Sequence, residues 1–195
     1  MKIYLASKSP RRRELLTQMG VPFEILPLDT PEIIAPNESP ETYSVRVTKE
    51  KMDAAWAQLI LQQAPLMPVL CADTEVVLNN QILGKPRDEQ DAFDMLKSYS
   101  GKAHQVLTSV GIHYFDYQKI ITNTTIVHFT TMSDNDIKHY LALGDYNDKA
   151  GAYGIQSYIG QFISKIDGCF YSVMGLPLST VRLLMQSLDQ HLKAN

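Results

Sequence analysis

Cysteine is almost missing: two of the 195 residues, Cys71 and Cys169, are cysteines, far apart and in no CxxC pair. That scarcity excludes a disulfide framework and a zinc knuckle and fits reduced thiols in the cytoplasm. An excess of positive charge is missing as well. With 18 Lys and Arg against 21 Asp and Glu, the net charge is −3, so no global field exists to hold long nucleic acid by counterion release. Any site for a polyanion must be local. Nor is there a long hydrophobic run. The longest uncharged stretch, Ala54 to Ala72, is interrupted by Gln58, Gln62, Gln63, Pro65 and Pro68 and reads as a helix, a turn and a strand entry rather than a membrane span. Ile3 to Ala6, the apolar run ahead of Arg11, Arg12 and Arg13, has neither the length nor the order of a signal peptide. The expectation is a cytoplasmic protein without membrane or long nucleic acid partners.

Several catalytic signatures are also absent. No GxSxG elbow, HExxH pair or P-loop ending in GKS or GKT occurs, which argues against a serine hydrolase, a zinc protease and an ATPase motor or kinase. His104, His113, His128, His139 and His191 have no ligand spacing and are read as structural or surface histidines.

What is present is an ordinary globular composition, 45% hydrophobic and 20% charged, in a length that suits one domain, residues 1–195, with room for two lobes. Ile3 to Ala6 reads as a buried strand, followed by a helix from Pro10 to Met19 with Ser9 at its N-cap. Val21 to Leu26 is the next strand. The loop Pro27 to Ser39 precedes a long helix, Pro40 to Gln63. Val69 to Leu78 and Gln81 to Leu83 form a hairpin about Asn79-Asn80. A helix over Asp88 to Ser98 leads to strands His104 to Tyr114 and Lys119 to Thr131, expected to be antiparallel. Ser133 and Asp136 open a further helix in a weak capping box. Gln161 to Ile166 is a strand, and Ser179 to Leu192 closes the chain as a helix. This is an α/β pattern, a mixed sheet flanked by helices.

Two anomalies carry the chemistry. Arg11, Arg12 and Arg13 stand at a helix start, where the partial positive charge disfavours a cation by roughly 0.3–1 kcal/mol. At about 100° per residue, Arg12 shares the side of Leu15, Leu16 and Met19, whereas Arg13 points nearly away. Cations beside free helix N–H groups, past the carboxyl end of a buried strand and with the hydroxyls of Ser7 and Ser9 nearby, suit a phosphate chain; a solvated basic helix end is the plainer reading. The second anomaly is Asp73, which ends the apolar run Val69-Leu70-Cys71-Ala72. A regular strand puts Asp73 and Glu75 on one face and Thr74 on the other. Paired carboxylates there could hold magnesium or take a proton from water. Equally, Asp73 could cap a turn or pair with a lysine, and Glu75 by itself reads as a solvent-facing residue. Glu32 is a further possible metal ligand in an acidic loop. In Gly84-Lys85-Pro86, glycine permits close backbone approach and proline holds Lys85 extended, which suits a lysine offered to phosphate. Lys51 by itself reads as a surface charge. The loop Asp148 to Gln156 has two glycines and an amide, Gln156, that could read a base edge.

The series Leu5-Ala6-Ser7-Lys8-Ser9-Pro10-Arg11-Arg12-Arg13-Glu14-Leu15-Leu16, then Ala72-Asp73-Thr74, then Gly84-Lys85-Pro86, then Asp148 to Gln156, then Val173 to Leu178 resembles the Maf family of nucleotide pyrophosphatases over nearly the whole chain. The resemblance implies a two-lobed α/β fold with a central cleft, similar to inosine triphosphate pyrophosphatases, a divalent cofactor (magnesium or manganese) and a homodimer. It makes Asp73 the general base or metal-linked carboxylate, Ser7, Arg11, Arg12, Lys51 and Lys85 the phosphate-binding set, and Glu32 the second acid at the metal. The form Asp-Lys-Ala-Gly-Ala-Tyr-Gly-Ile-Gln resembles the branch that prefers dTTP and UTP, with Arg11, Thr74 and Gln156 where substrate choice is set. Glu75 stands where an aliphatic residue is commoner. The implied function is hydrolysis of a pyrimidine nucleoside triphosphate to monophosphate and pyrophosphate. The alternatives are a nucleotide-sensing regulator of cell division that does not turn its ligand over, and the same hydrolysis directed at modified purine nucleotides such as 7-methyl-GTP.

Overall fold

Residues 1–194 are described by a computed structural model, whose frame is one seven-stranded mixed sheet. The strands are β1 (Ile3–Leu5), β2 (Phe23–Ile25), β3 (Val69–Leu78), β4 (Gln81–Leu83), β5 (Ala103–Tyr114), β6 (Tyr117–Phe129) and β7 (Ile163–Asp167). They lie in the order β2-β1-β3-β5-β6-β7, with β4 also on β3. β1 pairs parallel to β2 and β3, and all other pairs are antiparallel. The helices are α1 (Pro10–Gln18), α2 (Pro40–Leu61), α3 (Glu89–Tyr99), α4 (Asp134–Ala142), α5 (Phe170–Val173) and α6 (Leu178–Ala194).

Local chemistry accounts for the starts of these elements. Ser9, Ser39, Asp88 and Ser133 each cap a helix by accepting the backbone N–H three residues on, which satisfies one of the orphan donors. The Ser133–Asp136 pair is a full capping box with both reciprocal bonds made. Asn79 and Asn80 both take positive φ, 50° and 62°, as a two-residue hairpin between β3 and β4 demands.

Alternation along β3 divides the core into two layers. Val69 and Cys71 pack with Met52, Ala55 and Leu59 of α2. Leu70, Ala72 and Val76 pack on the opposite side with residues of α1, α3, α4 and α6. The helix α2 lies close on β5, because a Cβ at Gly111 would overlap Met52 Sδ. Hydroxyls line the same contact: Ser44 Oγ donates to Ser109 Oγ at 2.8 Å, and Ser109 meets Thr122 at 2.8 Å.

Unequal strand lengths open the sheet. β1 covers one edge of β3 only at Val69 and Leu70, and β4 covers that edge again only from Val76 to Leu78. Between them, Cys71 to Glu75 have a strand neighbour on one side alone, β5. Side chains from both faces of β3 therefore reach a common gap, at the carboxyl end of β1 and the start of α1. Among the described residues, no helix is long and apolar enough to cross a membrane.

Candidate active site

A cleft of about 800 Å³ occupies this gap, within the size range of small-molecule sites. From the α2 face come Asp73 and Glu75, whose carboxyl groups meet as period-two geometry requires. Lys51 Nζ of α2 bridges two acids, 2.5 Å from Asp73 Oδ1 and 2.6 Å from Glu32 Oε1. Glu32 is thereby joined to Asp73 through the lysine. Its loop is tied down by Arg46, which donates to the carbonyl of Ile33 at 2.9 Å and to both carboxylate oxygens of Glu38 at 2.6 and 2.7 Å.

From the other face comes Arg12. Its guanidinium donates to the Gly175 carbonyl at 2.9 Å, to Thr74 Oγ1 at 3.2 Å and to Ser7 Oγ at 3.4 Å. Thr74 is held in turn by Thr108, which donates to it at 3.1 Å. Ser7 and Thr74 thus aim Arg12, while Arg13 is exposed on the far side of the helix, as the helical phase predicts. Arg11 and Lys85 line the cleft and make no hydrogen bond or ion pair among the described residues. These two cations are uncommitted, whereas Lys51 and Arg12 are fixed in place.

Three expectations need correction. Lys51 is not a surface charge: its side chain is 11% exposed. It lies four residues after Val47 and four before Ala55, on the buried stripe of α2, so helical spacing puts it against β3. Glu75 is not solvent-facing either. It is 6% exposed, because β3 is an inner strand whose outer face is covered by α2, with Tyr43 beside the two acids. Lys85 also owes its setting to something other than close approach at Gly84, since a Cβ there would meet open space. Instead the Gly84 carbonyl accepts from Gly151 N at 2.9 Å, which joins the lysine turn to the glycine-rich loop.

Gly151 has φ of +66°, and a Cβ on it would stand 2.7 Å from Val76 Cγ2, so only glycine fits. Three rings hold this loop from beneath. Tyr99 Oη donates to the Gly151 carbonyl, Tyr140 Oη donates to that of Ala152 at 3.2 Å, and His104 Nε2 is hydrogen-bonded to Tyr153 Oη at 2.7 Å. The loop contributes Asp148, Lys149 and Tyr153 to the cleft wall, but Gln156 is exposed and is not part of it. Lys149, Tyr43 and Gly175 were not singled out from the sequence. Only Tyr43 had a local signal, its place on the inner stripe of α2 ahead of Lys51.

The electrostatics separate the two central acids. Burial alone would raise the Asp73 carboxyl, but Lys51, the contact with Glu75 and Arg12 overcome it and leave Asp73 below the usual range. Glu75 is pushed up to about 10 by burial first and by Asp73 next. At neutral pH the site thus holds one ionised and one protonated acid, the separation of roles found where carboxylates act. Arg12 is lowered by burial, with Asp73 opposing that effect.

His104 offers a test of the loop support. Burial pushes its pKa down to about 4, so the unfolded chain binds more protons than the native one between that value and about 6.5. Stability is whole above pH 6.5 and declines as pH falls toward 4, by on the order of 3 kcal/mol from this group. Urea unfolding at pH 7 and at pH 4.5 should show a smaller loss in His104→Gln than in the parent. Equal losses would contradict the assignment.

Comparison with known proteins agrees with the motifs. The family pattern described as Maf-like protein matches residues 2–188. The dTTP/UTP pyrophosphatase of Nitrosomonas europaea is 44% identical over 192 residues, spanning 94% of this chain and 93% of that protein. The protein of the same name from Chromobacterium violaceum is 43% identical over 186 residues, covering 94% and 93%. That of an Escherichia coli strain is 44% identical over 198 residues, covering 97% and 98%. Among solved structures, the Ham1 protein of Staphylococcus aureus aligns over 66% of this chain and 72% of its own, with 14% identity and a TM-score of 0.44. With a pattern match across nearly all of its length and relatives of this identity, the chain belongs to the Maf family.

Proposed function

We propose that this protein is a nucleoside triphosphate pyrophosphatase that hydrolyses dTTP and UTP between the α and β phosphates. One observation carries the reading: Arg12, Lys51 and Lys85 line the same cleft as a buried, ionised Asp73. A triphosphate chain needs several cations in a fixed array, and a phosphoanhydride yields to positioning and charge stabilisation around an activated water. The relatives supply the substrates, since each is named a dTTP/UTP pyrophosphatase.

Hydrolysis follows from the parts in order. Arg11 and Lys85, free of protein partners, take the phosphate oxygens, with Arg12 held by Ser7, Thr74 and Gly175 at the reacting end. A carboxylate has about four lone-pair sites, and Lys51 takes one on Asp73 Oδ1. Asp73 accepts a proton from water as the water oxygen bonds to phosphorus. The bridging oxygen departs with the leaving group, and the cations neutralise its charge.

A divalent cation, magnesium or manganese, belongs to this proposal. The residues fit one: Asp73 Oδ2 is buried with no donor, beside a second acid. No group of three or more His, Cys, Asp and Glu able to hold a metal ion exists among the described residues. This is compatible with magnesium, which is bound through one or two carboxylates, retained waters and the substrate's own phosphates. Asp73 would hold the cation, with Glu32 at the far side of Lys51, and the cation would supply neutralising charge at the phosphates. The homodimer implied by the family resemblance is part of the same reading.

The test is release of pyrophosphate and monophosphate from dTTP, UTP, CTP, GTP and 7-methyl-GTP with magnesium or manganese. Turnover should be fastest with dTTP and UTP. Saturable binding without product would leave a sensor instead of an enzyme, and a purine preference would overturn the assigned substrates. Of the three positions tied to substrate choice, Arg11 and Thr74 line the cleft and Gln156 does not, so Arg11 is the first to vary.

A further inference from the structure

Glu75 does nothing for the fold that an aliphatic side chain would not do better. It is 6% exposed on an inner strand, and no Lys, Arg or His forms an ion pair with it among the described residues. Its hydrogen-bonding neighbour is another acid, Asp73. Asp73 Oδ2 is buried in the same way and receives no hydrogen bond. Lys51 compensates one of the two acids only, because its ammonium is engaged by Asp73 Oδ1 and Glu32 Oε1. Two acids thus lie together on a cleft wall, with Lys51 on Asp73 Oδ1 and no ion-pair partner on Asp73 Oδ2 or on Glu75 among the described residues. Burying a second acid beside Asp73 costs free energy whether it stays charged or takes up a proton, and the fold gains nothing from such a pair unless something else occupies it.

We propose that Glu75 and Asp73 Oδ2 form a two-carboxylate seat for a divalent cation, with Glu75 acting as a metal ligand that this chain supplies in addition to the acids implied by its family. Both are hard oxygen ligands on residues that line the cleft, so the remaining positions are left to water and phosphate. A simpler role, a neutral acid donating a hydrogen bond to Asp73, would be met equally by glutamine. The inference rests on the nucleotide reading of the cleft, but its test does not, since it measures the cation directly.

The experiment titrates manganese, followed by electron paramagnetic resonance, into the parent, Glu75→Gln and Glu75→Ile, each alone and with the non-hydrolysable α,β-methylene analogue of UTP. Manganese affinity should fall about tenfold or more in both variants. Melting without metal should occur at a higher temperature in Glu75→Ile than in the parent, with the rise produced by manganese reduced. Three results would overturn the proposal: manganese binding kept in Glu75→Gln, a lower metal-free melting temperature in Glu75→Ile, or no manganese binding by the parent at millimolar concentration. Pyrophosphate release by the parent separately decides the nucleotide reading.

Discussion

Asp73→Asn is expected to lower turnover of dTTP and UTP by about 10²- to 10⁴-fold, the range associated with loss of a positioned general base, while circular dichroism and elution volume should stay those of the parent. Asparagine keeps the shape of the side chain and can still meet Lys51, which retains Glu32 as its partner. The missing element is an ionised oxygen in a cleft wall from which water is largely excluded. In the proposed mechanism Arg11, Arg12 and Lys85 grip the substrate, so KM should move much less than kcat. A variant turning over within a few-fold of the parent would remove Asp73 from the chemistry and the proposed mechanism with it.

Lys51→Met is the substitution with the largest expected effect on stability. Methionine fits the volume of the lysine stem but leaves Asp73 and Glu75 in a buried site without their nearest cation. Breaking one side of a buried ion pair typically costs about 3–5 kcal/mol, and the 11% exposure of Lys51 against 5% for Asp73 places this pair in that class. The cause is separable from lost packing by a double-mutant cycle. Lys51→Met combined with Asp73→Asn should be more stable than the sum of the single effects predicts, with a coupling of about 1–3 kcal/mol. Additive losses in denaturant titrations would show that Lys51 acts through its alkyl chain alone.

Several parts of the site were legible in the sequence for physical reasons that hold over one turn or one strand. The helical phase of α1 put Arg12 on the side of Leu15 and Leu16, and there it reaches Gly175 and Thr74. Period-two alternation put Asp73 and Glu75 together, and their carboxyls meet. Lys51 by itself read as a surface charge, because its charged neighbours Lys49 and Glu50 obscured the spacing from Val47 and Ala55 that marks the buried stripe. Glu75 was different. No local pattern says whether the polar-looking face of a strand is solvated or covered, and the answer depended on how α2 crosses β3 and β5. Gln156 was likewise placed by the path of a loop whose course is set by distant rings, Tyr99, Tyr140 and His104.

By itself, then, the order of residues determined the capped helices, the Asn-Asn hairpin, the alternation that splits the core, the family and which side chains are aimed the same way. Those properties depend on neighbours a few positions apart, through backbone hydrogen bonds and fixed repeat angles. Only the tertiary structure decided that β1 and β4 stop short of each other along β3, so that opposite faces of one strand open into a single cleft. Only it decided that Lys51 joins Glu32 to Asp73, that Gly175 holds Arg12, and that Glu75 is buried beside Asp73. Burial and ion pairing are set by contacts between segments remote in sequence, and the low dielectric they create is what turns ordinary acids and bases into a site.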